Sequence, residues 1–345
     1  MIFKRLFTLT LSFLPLFAIG QINIIPVDNQ DFTPQKIIEE VFLGEGVIIT
    51  NISFDGVETS LGVFENGKST IGIERGFVLS TGNVDVIPSN AEIIADFNVP
   101  MANATDDDLE ELAGINITDV IKYEISFIPN SDTLRFRYVF ASDEYPKAVC
   151  GITNDAFGFF INGPDPNGGQ YDYENIALIP DPNSSNQFLN TPVSINTVNG
   201  GESIQSDTIG SGCILSNDQY FNETDPNSAP IYNGYLDVFI AEAVVTPCQE
   251  YTIKIVLGDG KDATFDSAVF LEEKSFKTNT LTISNNSLGL NGAISEGCQP
   301  GSIEFSLNGI RNNGFPIELR ALDDLSLPDT ALPGLDFENI TSVIS

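Results

Sequence analysis

Seven oxygen-bearing side chains fall in three short stretches of this sequence and are the residues best suited to chemistry. Asp143 and Glu144 stand side by side in Ser142-Asp143-Glu144-Tyr145-Pro146. Asn154 and Asp155 follow about eleven residues later, and Asp259, Asp262 and Asp266 share the segment Gly258 to Asp266. Calcium takes about six to eight oxygen ligands in a flexible cage, and acids clustered in Gly-containing loops supply them, although this spacing is not that of an EF-hand. Two readings compete with a calcium site. Among 48 acidic residues some clustering arises by chance, which makes plain solvated turns. A glycosidase would use two of the same carboxylates as acid and as nucleophile or base. That reading loses its strongest sugar platform because the chain has no Trp, leaving Tyr145, Tyr171, Tyr173, Tyr220 and Tyr232. The patch Tyr171-Asp172-Tyr173 could grip a glycan or protein by ring contact and hydrogen bonding, or simply pin its own loop to the scaffold.

Composition removes whole classes of mechanism. The 345 residues hold no His, which excludes Ser-His-Asp and Cys-His nucleophiles, His-ligated zinc and the usual proton shuttle. Against 48 acidic residues stand 15 basic ones, a net charge of -33. Nucleic acid is therefore a poor partner, since a phosphate backbone is held by clustered Lys and Arg. Cys150, Cys213, Cys248 and Cys298 form no CxxC pair, so zinc fingers and thioredoxin-like redox chemistry lack their ligands.

The elements that must position the acids read as strands. Apolar residues alternate in short runs bounded by Gly, Asn, Asp or Pro, the period of half-buried strands. Such runs are Gly46 to Ile52, Gly76 to Thr81, Lys122 to Ile128, Thr133 to Ala141, Phe157 to Ile161, Asn175 to Ile179, Val193 to Thr197, Leu236 to Ala243, Tyr251 to Leu257 and Ser267 to Glu272. Two short helices are expected, one entered through Thr33-Pro34 and one from about Asp106 to Ala113, stopped by Gly114. The stretches Gly163 to Asn190 and Asn199 to Pro230 read as long surface loops. Many strands and few helices predict an all-β fold, a jelly-roll-like β-sandwich with long loops.

At the start, Lys4-Arg5 precede an apolar run with small residues before Gln21, the pattern of a secretory signal over residues 1–20. Pro15 and the shortness of the run disfavour a membrane span, and no later stretch could cross a bilayer. Composition shifts near 279–292, which is read as a linker between a domain at 21–278 and a last, incomplete one at 293–345.

The segment TLRFRYVFASDEYPKAVCGITNDAFGFFING (Thr133 to Gly163) resembles the choice-of-anchor L domain of exported bacterial proteins, common among Bacteroidetes. GFVLSTGN (Gly76 to Asn83) and DDDLEELAG (Asp106 to Gly114) precede it, and NIALIP, TPVSINTVN and DSAVFLEE follow it, all in the family's order. The resemblance covers about Val41 to Phe276. It implies a secreted, non-enzymatic module of surface proteins held to the cell by varied sorting signals. Beyond it, Glu296-Gly297 and Asp336-Phe337 resemble part of a Calx-beta-type, Ig-like repeat associated with calcium.

An oxidising, extracellular setting favours disulfides. Cys150 lies just after the acidic strand end and Cys213 in the second long loop, so the two are expected to pair; Cys248 with Cys298 follows by elimination. The sequence thus predicts a secreted, cell-surface module for adhesion or display, with Ca2+ on Asp143, Glu144, Asn154, Asp155, Asp259, Asp262 and Asp266. A cell-surface glycan or protein is the expected partner, and a glycan-binding or glycan-cleaving exoprotein is the alternative.

Overall fold

Every second side chain of Leu134, Phe136, Tyr138 and Phe140 is large and apolar, and in the computed structural model of the chain they lie buried on one face of a strand. The structure describes residues 21–27, 32–89, 104–151, 154–184, 187–203, 213–260, 265–278, 280–285 and 303–308. Asp262, Cys298, the expected signal segment and the Calx-beta-like residues lie outside them. The chain divides between Thr280 and Leu281 into two compact units.

In the larger unit the strands are β1 (Asn23–Pro26), β2 (Val47–Asp55), β3 (Leu61–Glu65), β4 (Gly76–Ser80), β5 (Ile117–Pro129), β6 (Thr133–Ser142), β7 (Ala156–Pro164) and β8 (Gln170–Asn175). They continue with β9 (Leu178–Pro180), β10 (Phe188–Pro192), β11 (Phe221–Glu223), β12 (Gly234–Leu236), β13 (Phe239–Val244), β14 (Tyr251–Gly260), β15 (Ser267–Glu272) and β16 (Lys277–Thr278). A nine-stranded sheet runs β1-β3-β4-β15-β6-β12-β11, with β13 and β16 also on β6. β6 is long enough to take β15 and β16 along one edge and β13 and β12 along the other, all antiparallel. The second sheet has five strands in the order β2-β5-β14-β7-β8.

Alternation explains why the sheets face each other. The inward row of β6 meets Tyr123, Ile125 and Phe127 of β5, Phe157, Phe159 and Ile161 of β7, and Ile253, Ile255 and Leu257 of β14 in one buried cluster. Rings interlock across the interface: Phe136 and Tyr138 meet Phe159 edge-on at 5.0 and 4.8 Å, and Phe140 stacks on Phe157 at 4.7 Å. This is an all-β sandwich, as expected. The outer faces are covered too. Tyr232 and Ile231 lie over Val139, Ala141 and Phe270, and a helix carrying Leu109 lies over Ile117, Val120, Phe160 and Val256. Burial on both faces is why β14 and β15 read as nearly continuous apolar runs.

Both expected helices form. α1 (Pro34–Lys36) is capped by Thr33, whose hydroxyl accepts the Lys36 N–H at 3.2 Å, and runs into a π-helical turn, Ile37–Phe42. The wider turn buries Ile37, Ile38, Val41 and Phe42 together. A short α2 (Lys68–Ile71) lies outside the sequence expectation. α3 (Asp107–Ala113) is capped by Asp106, which accepts the Leu109 N–H at 3.1 Å, and ends at Gly114, whose φ of 69° is left-handed.

Three expectations are corrected. Val193 to Thr197 is not a strand: Ser194 N–H donates to Thr197 Oγ1 at 2.9 Å and Val198 N–H to the Ser194 carbonyl at 2.9 Å, so local turn bonds replace a ladder. The first long loop is also largely ordered as β8, β9 and the start of β10. The expected strand at Asn175 to Ile179 is interrupted because Asn175 Oδ1 accepts the N–H groups of Phe159 and Ala177. Further along the chain β17 (Thr280–Asn285) pairs with β18 (Ile303–Asn308).

α3 is fastened to β14 by a buried ion pair. The Lys254 side chain is 4 % exposed and places Nζ 2.6 Å from Asp106 Oδ1, with Asp108 as a second partner. The rings of Phe160 and Tyr173 flank the ammonium at 5.0 and 5.1 Å. Removing one member of a buried pair leaves the other charge stranded, so Lys254→Ala is expected to cost about 3–5 kcal/mol in urea unfolding. Lys254→Met combined with Asp106→Asn, which keeps the cap on the Leu109 N–H, should recover part of that loss.

Candidate functional site: a buried acidic cluster

Four strand ends meet at one place. Ser142 at the end of β6 pairs with Ser267 at the start of β15, and Ala156 at the start of β7 pairs with Gly258 near the end of β14. The residues just outside or within these ends are Asp143, Glu144, Asn154, Asp155, Asp259 and Asp266. Register therefore gathers acids that are far apart in sequence.

Hydrogen bonds fix most of them. Asp143 N–H donates to the Asp266 carbonyl at 3.0 Å, while Asp143 Oδ1 accepts the Asn233 N–H at 3.1 Å. Asp155 Oδ2 accepts the Ser267 hydroxyl at 2.6 Å and Oδ1 accepts the Gly260 N–H at 3.2 Å, so this one carboxylate joins the two sheets. Asp155 N–H donates to Glu144 Oε2 at 2.9 Å. Thr81 Oγ1 accepts the Ser267 N–H at 3.0 Å, and the Thr81 side chain also bonds Asp259. Gly82 and Gly260 line the site because nothing larger fits: a Cβ on Gly82 would strike the Asp266 carboxylate, and one on Gly260 the Asn154 backbone.

The carboxylates are deeply buried, with Asp259 1 %, Asp155 and Glu144 3 % and Asp266 6 % exposed. Asp259 Oδ1 and both amide atoms of Asn154 are buried without a hydrogen-bond partner. Burial pushes Asp143 up to about 7; the Asn233 N–H opposes this, the Asp266 charge adds to it and Lys147 opposes it. Asp259 is held well above the usual carboxylate range, first by burial and then by the charge of Asp155, against the Thr81 hydrogen bond, with Asp266 and Asp119 adding to the rise. The Tyr232 hydroxyl bonds Ser80 Oγ at 3.0 Å, and burial together with Asp266, Asp143 and Asp155 pushes its pKa up against that bond. The groups thus lie in one another's field.

Of the seven residues expected to share a site, Asp143, Asp155, Asp259 and Asp266 are electrostatically coupled, Glu144 joins through Asp155, and Asn154 lies beside them. Asp262 is outside the described residues. Among the described residues no group of three or more His, Cys, Asp or Glu side chains is arranged to hold a metal ion. Sequence reasoning missed Thr81, Ser267 and Asn233, polar residues that become significant only through the strand register.

The tyrosines serve the scaffold, which for Tyr171 and Tyr173 is the reading in which they pin their own loop. Tyr145 donates to the Val198 carbonyl at 2.8 Å, Tyr171 to that of Val244 at 3.0 Å and Tyr220 to that of Pro180 at 3.1 Å, while the Tyr173 ring faces Lys254. The disulfide Cys150–Cys213 forms, spanning 63 positions, and Cys150 N–H also donates to Asn196 Oδ1 at 2.6 Å. Among the described residues Cys248 is an exposed free thiol, and its expected partner Cys298 lies outside them.

The family model of the Choice-of-anchor L domain matches residues 26–277, more than half of the chain. No curated protein and no solved structure matches it. The family is not an enzyme family, and it marks the chain as a surface-associated module. Among the described residues no helix is long and apolar enough to cross a membrane.

Two outcomes are expected. A carboxyl whose folded pKa exceeds its unfolded value of about 3.9 stabilises the fold when protonated, and that stability is lost as pH rises through the folded pKa. For Asp143 the window runs from its unfolded value to about 7. Melting temperature should therefore fall across this window in calorimetry, and Asp143→Asn should flatten the profile. Separately, Cys213→Ser should cost on the order of 2–4 kcal/mol by denaturant titration, since the bridge restrains the unfolded chain.

Proposed function

Because the chain belongs to the choice-of-anchor L domain family, we propose that it is a secreted, cell-surface, non-catalytic module for adhesion or display whose acidic cluster is neutralised by calcium. The observation that supports the calcium reading is Asp259 Oδ1: a carboxylate oxygen with no hydrogen-bond partner, on a residue 1 % exposed, in the field of Asp155 and Asp266. A buried charge needs a counter-charge or a proton. Asp259, Asp155, Asp266 and the Asn154 amide oxygen are hard oxygen donors suited to calcium, with Asp143 and Glu144 beside them. Lys147, the cation that acts on Asp143, is exposed. A glycosidase would need an acid and a base flanking an accessible substrate, and the depth of Asp155 and Asp259 argues against that use of them. A cell-surface glycan or protein remains the proposed partner, met by the outside of the sandwich.

Calcium that binds only the folded cluster must raise stability as RT ln(1 + [L]/Kd), about 2.7 kcal/mol at a hundredfold excess over Kd. Magnesium at matched ionic strength should reproduce little of the rise, because it gives up its waters reluctantly. Asp143→Asn and Asp266→Asn should each remove most of the calcium-specific shift in melting temperature, and Asp172→Asn, at an exposed position, should not. Equal shifts with calcium and magnesium would reduce the effect to general screening and overturn the proposal.

A further inference from the structure

A cavity of about 560 Å³ opens in the larger unit where the turn after β11 meets α2 and the first described residue, and it shares no residue with the acidic cluster. We propose that this cavity binds a neutral saccharide.

The lining selects the ligand class. Among the described residues that line it, Glu223 and Asp225 carry negative charge and none is Lys or Arg, so phosphates, nucleotides and acidic sugars are repelled. Ligand pockets are usually lined predominantly by apolar side chains. Here hydroxyl, amide and carboxylate groups line the space, including Gln21, Thr70 and Asn227, and so provide both donors and acceptors. A ligand rich in hydroxyl groups matches that inventory, whereas a lipid or apolar peptide does not. Tyr235, half-buried on β12, adds a ring against which the C–H face of a sugar can pack.

Hydrogen bonds within the wall fix its shape. The turn is held in shape from within: Asn227 N–H donates to Asp225 Oδ1 at 2.9 Å, and Ser228 N–H to the Asp225 carbonyl at 2.8 Å. Thr224 is 7 % exposed and its N–H donates to the Asn233 carbonyl at 3.0 Å. Tyr235 escaped notice in the sequence because Asn-Gly-Tyr-Leu carries no pattern that sets it apart from the other tyrosines.

The test is a glycan array carrying neutral and acidic oligosaccharides, probed with the full chain, followed by calorimetric titration of the neutral oligosaccharide giving the highest signal. Binding is expected for at least one neutral glycan, with and without a calcium chelator, because the cavity is separate from the acidic cluster. Tyr235→Ala and, on the exposed turn, Asp225→Ala should each weaken it about tenfold or more, the scale of one lost packing or hydrogen-bonding group. Because Asp225 also shapes the turn, Glu223→Ala, at an exposed lining position outside it, guards against a structural defect in either variant and should weaken binding as well, and all three variants are checked for an unchanged melting temperature. Absence of any neutral glycan above background, binding confined to acidic glycans, or affinity unchanged in Asp225→Ala overturns the proposal.

Discussion

The aromatic interface between the sheets is the constraint on which the rest of the structure depends. Phe136, Tyr138 and Phe140 can meet Phe157 and Phe159 only in one register, because a slip of one residue would turn every inward ring to the opposite face. Once that register is set, the ends of β6, β7, β14 and β15 have no freedom. The acids just beyond or within them are carried into the same small volume, with Asp155 bonded to both sheets through Ser267 and Gly260. The cluster is thus a consequence of core packing acting on polar residues at strand ends.

That arrangement is electrostatically unfavourable by itself. Carboxylates lose hydration on burial and repel one another, and both effects raise the pKa values of Asp143 and Asp259. Lys254 shows the contrasting solution within the same sheet: its buried charge is met directly by Asp106 and Asp108, which outweigh the downward pull of burial on its pKa. The acidic cluster has no comparable buried cation among the described residues. Protons fill the role at low pH; in our proposal calcium fills it outside the cell. In that proposal the unpartnered Asp259 oxygen is where the two solutions compete.

Strand alternation was highly legible. Thr133 to Ala141, Lys122 to Ile128 and Tyr251 to Leu257 announce β6, β5 and β14, and both capped helices stand where Thr33-Pro34 and Asp106 place them. Less visible were elements whose stability comes from neighbours: β1, β3 and β11 are short strands completed by pairing, and Val193 to Thr197 alternates yet folds as a turn through its own hydroxyl groups. The acids of the site could be picked out as motifs, and the Cys150–Cys213 pairing from its place beside them. Thr81, Ser267 and Asn233 could not, since a lone Thr, Ser or Asn gains meaning only from what register sets against it. Asp106 was readable as the start of a helix, but its bond to Lys254 148 positions away was not.

The most direct test of this account is the proton count on calcium binding. Calorimetric titration at pH 6 in two buffers of different ionisation enthalpy yields the number of protons released per calcium bound. If protons and calcium neutralise the same carboxylates, about one proton or more should leave with each calcium, and fewer in Asp143→Asn or Asp259→Asn. Saturable calcium binding without proton release, or no saturable heat at all, would contradict it.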